Sequence, residues 1–281
     1  MVSKKINGTF FICATPIGNL EDASFRLIRI LKEADLIVAE DTRTIKKLLQ
    51  KYGIFKKNTI SYNDYNREKR IGYIINELET GKNIALVSES GVPAIQDPGF
   101  KIINECIKND IPLTIIPGPN AAISALVISG LPTDNFLFAG FLPKGKAKRK
   151  NKLWELAMQP YTLIFYESPA RIEKLISELI ERFGDRRAGL VREISKIYEE
   201  VIRGDLSSIL DRIKIKKVKG EIVLVVEGYK KELIKNFSDE DIANEIIRLI
   251  KEGITKRNTL KIIQSRYDID KKSLYNISTK I

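Results

Sequence analysis

The chain has 281 residues, of which 43% are hydrophobic, with a formal net charge of +12, two cysteines and no histidine. Packed cores are therefore expected and general disorder is not. The missing histidine excludes a Ser-His-Asp triad, a Cys-His pair and a histidine-ligated metal, and two cysteines are too few for a zinc site. No apolar run approaches the roughly 20 residues of a membrane helix, and no signal-peptide core is visible. We expect a cytoplasmic protein with no metal cofactor and no membrane partner.

The first half of the chain alternates apolar runs with amphipathic segments. Strands are predicted at 9–14, 36–39, 84–87 and 113–116, and helices at 25–34, 66–80 and 98–110. This alternation predicts a mostly parallel α/β sheet, whose ligands bind beyond the carboxyl ends of the strands. Four loops rich in Gly, Pro or charge follow these strands, namely ATPIGNLED, EDTR, SESGVP and PGPN. We therefore predict one cleft at that edge of the sheet.

The second half is predicted to form another α/β domain, with a mixed sheet, followed by a helical tail. Strands are predicted at 136–141, 163–166, 190–191 and 222–226, and helices after Asn120 and at 147–158, 168–182 and 205–217. Ser168 and Pro169 are expected to begin the third of these helices. The tail begins at Ser238, and it either resembles a helix-turn-helix or packs on the body. The predicted domains are therefore 1–118, 119–230 and 238–281.

Basic residues are clustered, which favours a polyanionic partner over a uniformly solvated lysine surface. Residues 144–152 include six basic residues and no acid, and residues 212–219 include five basic residues and no acid. A nucleic acid is favoured ahead of an anionic membrane surface, because phosphate backbones are bound mainly by Lys and Arg.

The first loop, ATPIGNLED at 14–22, lies where a nucleotide-binding loop would lie. Gly18 and the acid Glu40, 22 residues later, match a Rossmann fingerprint only weakly, because the other glycines are missing. The chain has no P-loop motif. Gly18 is expected to supply the one permissive backbone position of the loop. Asp41 fits a helix cap, with Arg43 beside it, while the Glu167 carboxylate at a strand end suggests catalysis or amine recognition.

Eight motifs occur in a characteristic order: ATPIGNLED, AEDTR, SESGVPAIQDPG, PGPNAAISAL, GLPTDNFLFAGFLP, FYESPARI, REISKIYEE and GEIVLVVEG. Together they resemble the bacterial 16S rRNA cytidine 2′-O-methyltransferases, a family within the tetrapyrrole methylase (class III) superfamily. The resemblance implies two α/β domains, S-adenosylmethionine as methyl donor and a homodimer. It further implies ribose methylation of a decoding-centre (P-site) cytidine in the small ribosomal subunit. Another class III methylase, acting on a tetrapyrrole or a protein, and a non-enzymatic RNA-binding module are the alternatives.

The resemblance implies the methyl-donor contacts, and the chemistry of the charged residues gives candidate bases and phosphate-binding cations. Because a ribose hydroxyl must lose its proton, carboxylate bases are expected among Asp41, Glu167, Glu40 and Glu199. The donor is expected to contact Pro16, Ile17, Gly18, Glu89, Gly91, Val92, Pro93, Asn120, Ala121, Phe165, Tyr166 and Val191. RNA phosphates are expected at Arg43, Lys144, Lys146, Lys148, Arg149, Lys150, Arg192 and Lys196.

The chain departs from the family pattern at several of these positions. The family commonly has Asp at Glu89, Thr at Val92 and Ser at Asn120, and histidines near Thr44, Asn63 and Ala170. A member without histidine implies that histidine is not the essential base. The alternative is that a substrate contact has been lost in this chain.

Overall fold

A computed structural model describes residues 7–230 and 237–280. The described chain divides into two compact units. The first unit ends at Ile128 and also includes Val191–Glu200, and the second unit comprises the remaining residues. The division thus falls ten residues beyond the domain boundary expected at 118, and a short later segment returns to the first unit.

The first unit contains a five-stranded parallel sheet, as predicted. Its strands are β1 (Phe10–Cys13), β2 (Leu36–Ala39), β3 (Thr59–Ser61), β4 (Ile84–Val87) and β5 (Leu113–Ile116), in the order β3-β2-β4-β1-β5. The edge strand β3 was not predicted, because its three residues include only one apolar side chain. The carboxyl ends of all five strands point the same way, so their loops share one edge of the sheet.

Five helices complete the first unit: α1 (Phe25–Glu33), α2 (Thr42–Lys51), α3 (Arg67–Glu79), α4 (Phe100–Lys108) and α5 (Ala121–Ser129). Successive side chains of a strand point to opposite faces of the sheet, and β2 shows this directly. Ile37 packs with α1 and α2 in one core, while Leu36 packs with α3 and α4 in the other. The central strands are therefore buried on both faces, which explains their nearly continuous apolar sequences.

The second unit is built on a mixed sheet, as predicted. Its strands are β6 (Phe136–Phe141), β7 (Thr162–Glu167), β8 (Arg187–Arg192), β9 (Glu200–Asp205) and β10 (Ile222–Val226), in the order β6-β7-β10-β8-β9. Strand β7 is parallel to β6 and antiparallel to β10. Helices α6 (Lys146–Ala157), α7 (Ile172–Phe183) and α8 (Leu206–Ile215) accompany the sheet.

The prediction that Ser168 caps the second of these helices was wrong. Helix α7 begins at Ile172, and a turn precedes it, in which the Ser168 carbonyl accepts hydrogen bonds from the N–H groups of Arg171 and Ile172. Strand β9 was also not predicted, since half of its sequence EVIRGD is charged and it lies at the edge of the sheet.

The tail folds as three helices, α9 (Asp239–Lys251), α10 (Lys256–Arg266) and α11 (Lys271–Thr279). Ser238 forms the predicted cap, and Asp241 completes a capping box with it. The three helices share an apolar core, into which α6 inserts Trp154. The tail is thus packed on the second unit, and α10 and α11 meet at the turn where a helix-turn-helix was expected. Within the described ranges, no helix is long and apolar enough to span a membrane.

Candidate active site

The loops after β1 and β4 are joined at the carboxyl edge of the first sheet. The N–H groups of Thr15 and Gly91 each donate to the other residue's carbonyl, at 2.9 and 3.2 Å. The Thr15 hydroxyl donates to the Ser88 carbonyl at 3.4 Å, and the Ser88 hydroxyl donates to the Gly91 carbonyl at 3.0 Å. These hydrogen bonds hold Ile17 and Gly91, two residues predicted to contact the methyl donor, next to each other.

The loop after β5 joins the same cluster through two glycines. Gly91 has a φ of +81°, and a Cβ on it would lie 3.4 Å from Ile17 Cγ2 and 3.7 Å from the Pro119 carbonyl oxygen. A Cβ on Gly118 would lie 3.0 Å from the Cβ of Ala14. The three loops therefore approach closely because no side chain separates them. Their neighbour Asn120 caps α5, accepting a 3.1 Å hydrogen bond from the Ile123 N–H.

Gly18 has a role different from the one predicted from the sequence. Its φ is not positive, so no permissive backbone position is required there. Instead, a Cβ on Gly18 would lie 2.4 Å from Lys196 Cγ and 3.1 Å from the Ile194 carbonyl oxygen. Glycine is therefore needed for the close approach of the returning segment 191–200.

The returning segment 191–200 is fixed to the first loop by polar contacts. The Asn19 N–H donates to Ser195 Oγ at 3.2 Å, and the Ser195 hydroxyl is also hydrogen-bonded to the Asp22 carboxylate. Ser195 and Glu193 have positive φ values of 65° and 50°, so the segment holds an unusual backbone. Glu199 accepts a 2.6 Å hydrogen bond from the Ser195 N–H, which gives this predicted base a structural partner.

Two predicted phosphate-binding residues in this segment form ion pairs. Arg192 Nε lies 2.6 Å from Glu200, and Lys196 Nζ lies 3.0 Å from Glu193. Both cations would have to exchange or share these partners to bind a phosphate.

Asp41 and Arg43, beyond the end of β2, form a bidentate pair. Arg43 Nη2 lies 2.6 Å from Asp41, and Asp41 caps α2 by accepting a 2.7 Å hydrogen bond from the Arg43 N–H. The hydrogen bonds from the Arg43 side chain and backbone lower the pKa of Asp41 to about 2. A carboxylate with so low a pKa is a weak proton acceptor near neutral pH.

Asp97 has the opposite environment, and the sequence had not pointed to it. Its pKa is raised from 3.8 to about 7, first by burial and then by the negative charges of Glu40 and Glu89, while a hydrogen bond with Ser88 opposes the rise. Burial and Glu89 likewise raise the pKa of Glu40. Three carboxyl groups are thus collected where β2 and β4 end, and Asp97 is the one poised to exchange a proton near pH 7.

The backbone around Asp97 is unusual as well. Ala94 and Gln96 have φ values of 70° and 65°, in the region that favours glycine. A Cβ on Gly99 would lie only 2.9 Å from the Cβ of Ala94, so the turn closes tightly on itself. Such strain is found most often at functional sites. In the sequence, Asp97 is the aspartate of the motif SESGVPAIQDPG. The tripeptide Asp-Pro-Gly indicates only a turn, so the pattern did not single out Asp97 as a proton acceptor.

Glu167, the predicted catalytic candidate of the second unit, is part of a buried ion-pair cluster. Its side chain is 1% exposed and lies 2.6 Å from Arg171 Nη2 and 3.7 Å from Arg149 Nη1. Arg149 is also buried and lies 2.7 Å from Glu178. The structure thus corrects the expectation that Arg149 binds RNA, because its buried guanidinium pairs with Glu178 and Glu167 inside the unit.

The remaining predicted residues of the second unit divide by exposure. Lys144, Lys146 and Lys148 are exposed, whereas Lys150 donates a hydrogen bond to the Glu252 carbonyl of the tail. Phe165 is fully buried in the core. Tyr166 is half-buried and makes edge contacts with two phenylalanine rings, Phe138 and Phe141.

Five other residues predicted to contact the methyl donor lie in the first unit. The side chain of Val191 is fully buried, and Pro93 is buried beside the half-buried Val92. These three residues therefore contribute mainly to the packing of the loops. Glu89 is exposed, and Ala121 opens α5 and is half-buried. Within the described ranges, no group of three or more His, Cys, Asp or Glu side chains is arranged to hold a metal ion.

Comparison with known proteins defines the class of this fold and site. Residues 9–210 match the model of the Tetrapyrrole (Corrin/Porphyrin) Methylases, and the chain belongs to this family. Similar solved structures include uroporphyrin-III-C-methyltransferase from Thermus thermophilus, at 18% identity and a TM-score of 0.57, covering 78% of this chain and 94% of that one. The cobalt precorrin-4 methyltransferase CbiF, at 17% identity and a TM-score of 0.59, has the same coverage. Both confirm the predicted fold.

Within the family, the chain is most informatively compared with relatives called ribosomal RNA small subunit methyltransferase I. The one from Halalkalibacterium halodurans is 41% identical over 273 residues, which cover 96% of this chain and 94% of the relative. The one from Thermotoga maritima is 42% identical over 221 residues, which cover 79% of this chain and 99% of the relative. These matches confirm the recognised family and the prediction of an S-adenosylmethionine-dependent methyltransferase.

Proposed function

We propose that this chain methylates the ribose 2′-hydroxyl of a cytidine in the decoding centre (P site) of 16S rRNA, within the small ribosomal subunit. The names of the relatives support an rRNA substrate, and the net charge of +12 suits a polyanion. The observation that carries the choice of an oxygen nucleophile is the carboxyl group of Asp97, because a hydroxyl requires a proton acceptor and this group titrates near neutral pH.

The loops of the first unit suit the methyl donor. Ile17 and the φ-positive Gly91 give an apolar, closely packed surface for an adenosine, and Asn120 and Ala121 add the start of a helix. The carboxyl groups of Glu40, Glu89 and Asp97 provide a negative field that suits a cation. When bound, S-adenosylmethionine supplies an activated methyl group on a sulfonium.

The task of this chain's residues is then orientation and proton transfer. The ionised Asp97 accepts the ribose proton, and the tight turn at 94–99 holds its carboxylate in place. Glu40 follows as the second candidate, because its pKa is also raised. Asp41, Glu167 and Glu199 rank lower, because each is engaged by structural partners.

Binding of rRNA is assigned to exposed cations. Arg43 in the first unit and Lys144, Lys146 and Lys148 in the second are exposed and would position the RNA backbone without reading its sequence. We further propose a cytoplasmic homodimer. The exposed apolar side chains Ile123 and Val127 on α5, 44% and 64% accessible, support a protein–protein contact there.

The test is methylation of purified small subunits with labelled S-adenosylmethionine, followed by mapping of the modified nucleotide. Label on the 2′-oxygen of a decoding-centre cytidine is expected, and Asp97→Asn should remove it while donor binding by calorimetry persists. Asp41→Asn is the matched control and should retain turnover. Label on a base, a protein or a porphyrinoid would refute the proposal. An absence of donor binding by the parent protein would instead indicate a non-enzymatic RNA-binding module.

A further inference from the structure

A groove of about 460 Å³ lies in the second unit, between α6 and the beginning of α10. A volume of this size falls within the roughly 300–1,000 Å³ of sites that enclose a small organic ligand. Neither the methyl-donor loops nor the carboxyl cluster contributes to it. The groove is therefore a second concave surface of the chain, separate in sequence from the residues assigned to methyl transfer.

One wall of the groove is a single stripe of α6. Lys148, Asn151, Lys152 and Glu155 all line the groove, and their spacing of three and four residues places them on one face of the helix. Lys148 is exposed and has no carboxylate partner among the described residues, while Lys152 lies 3.1 Å from Glu155. This wall therefore presents the exposed ammonium group of Lys148, the amide of Asn151 and the ammonium group of Lys152, which is paired with Glu155 at the surface.

The other wall is the first turn of α10. Thr255 and Asn258 line the groove, and the Thr255 side chain caps the helix by accepting a 3.4 Å hydrogen bond from the Asn258 N–H. Arg257 and Lys261, on the adjoining stripe of α10, are exposed and have no carboxylate partner in the described ranges. The positive end of the helix and these two cations add to the charge of the first wall.

The two walls are fixed relative to each other within the unit. Lys150 of α6 donates to the carbonyl of Glu252, and Trp154 of α6 is inserted in the core of the tail. Trp154 also lines the groove with Pro143 and Ile254, and its buried indole N–H has no acceptor in the part of the chain that is described. The groove thus combines an apolar floor with a cationic rim and amide groups.

We infer that this groove binds a single-stranded segment of the rRNA substrate, with a phosphate at Lys148 and the start of α10 and a base or ribose over the apolar floor. The inference rests on the proposed function, because the rRNA substrate supplies the strand. Charge complementarity favours an anionic partner, and the apolar floor beside amide groups favours RNA over an acidic peptide. The cations flank an apolar floor with amides at its edge, which matches a nucleotide with its phosphate outside and its base inside.

The experiment compares Lys148→Glu, on the α6 wall, and Arg257→Glu, on the stripe of α10 beside the other wall, with Lys174→Glu as a matched control. Lys174 is another exposed lysine, on α7 and outside the groove. Affinity for a single-stranded decoding-region fragment of 16S rRNA is measured over a range of salt concentrations. Each groove variant should make the negative slope of log K against log salt shallower by at least about 0.7, the value for one phosphate contact on a single strand. The control should leave the slope unchanged.

Chemical footprinting provides a measurement on the unaltered protein. Acylation of Lys148 should slow when the RNA fragment is bound, while acylation of Lys174 should not. Equal acylation of Lys148 with and without RNA, together with parental affinity of both groove variants, would overturn the inference. Protection by whole small subunits but not by RNA alone would also overturn it, in favour of a ribosomal protein. A methyl group mapped to another nucleotide, with Lys148 still protected, would refute the assigned target and leave the groove intact.

Discussion

Replacing Asp97 by Asn should stabilise the first unit at pH 8 while it stops methyl transfer. The native environment holds the carboxyl at a pKa of about 7 against an ordinary 3.8, because it is partly buried and faces Glu40 and Glu89. The folded chain therefore keeps a proton that the unfolded chain releases. As the pH rises from about 4 to about 7, the native protein loses stability through this group. An amide has no such cost.

The magnitude follows from the two pKa values. Their difference corresponds to about 4 kcal/mol at about 1.4 kcal/mol per tenfold change in proton affinity. Asp97 is only partly buried, and solvent screening reduces the expected gain to about 1–2 kcal/mol. The gain should be close to zero at pH 4, grow between pH 4 and 7, and remain constant above.

Hydrogen exchange of the amides of β1 and β4 measures this gain, because it reports on the first unit alone. Rates are corrected for intrinsic exchange at each pH. Asp41→Asn is the control. The pKa of Asp41 is lowered, so its contribution to stability is present above pH 3.8 and lost only as the pH falls towards 2. The difference between that variant and the parent should not change between pH 5 and 8.

Two results would refute the reasoning. An Asp97→Asn protein that is less protected than the parent at pH 8 would show that the ionised carboxylate is stabilised by partners. A difference that is the same at pH 5 and 8 would show that Asp97 titrates outside this window. A stabilised variant with full turnover would support the raised pKa of Asp97 but exclude Asp97 as the catalytic base.

Three further predictions concern residues with structural roles. Trp154→Ala should lower the free energy of unfolding of the second unit by about 3–5 kcal/mol and expose α9–α11 to proteolysis. Trp154→Phe should retain most of the protection against proteolysis. Glu167→Gln should destabilise the second unit by about 1–3 kcal/mol in urea unfolding, because it removes the buried carboxylate charge that faces Arg171 and Arg149. An unchanged midpoint with lost turnover would restore Glu167 as a catalytic candidate. Gly91→Ala, at φ +81°, should cost about 1–2 kcal/mol and weaken donor binding by calorimetry. Gly72→Ala, in α3 with open space around it, should be neutral or stabilising, and equal donor affinities for the two variants would contradict the assigned cradle.

The strands that could be predicted from the sequence are those that are buried on both faces, because burial requires apolar residues at nearly every position. Leu36–Ala39 is buried at every position, so it is apolar at every position. Strand β9 lies at the edge of its sheet and has only Ile202 buried, so its sequence resembles a charged loop. The first kind of strand is visible in a sequence, and the second depends on pairing with a distant neighbour.

Arg149 shows where a correct pattern was applied too broadly. The basic run at 144–152 predicts a charged helix, but helical periodicity places Arg149 on the same face as the buried Leu153 and Leu156. The spacing of four and three residues was visible in the sequence. A basic run on an amphipathic helix therefore contains exposed cations and one that requires an internal carboxylate.

Asp97 could not have been recognised from its neighbours in sequence. Its raised pKa depends on burial and on Glu40, which follows a different strand. An Asp-Pro-Gly sequence in a solvated turn would look identical. The tertiary fold creates this property by bringing the carboxyl ends of β2 and β4 to the same edge.

The return of residues 191–200 to the first unit has a consequence for biosynthesis. The surface of the first loop around Gly18 and Asn19 is completed by Ile194 and Ser195, which the ribosome adds only after residues 129–190. At roughly 5–20 residues per second, that delay lasts several seconds. During this interval the nascent first unit has its sheet but an open first loop, so the active-site edge is among the last parts of the unit to mature.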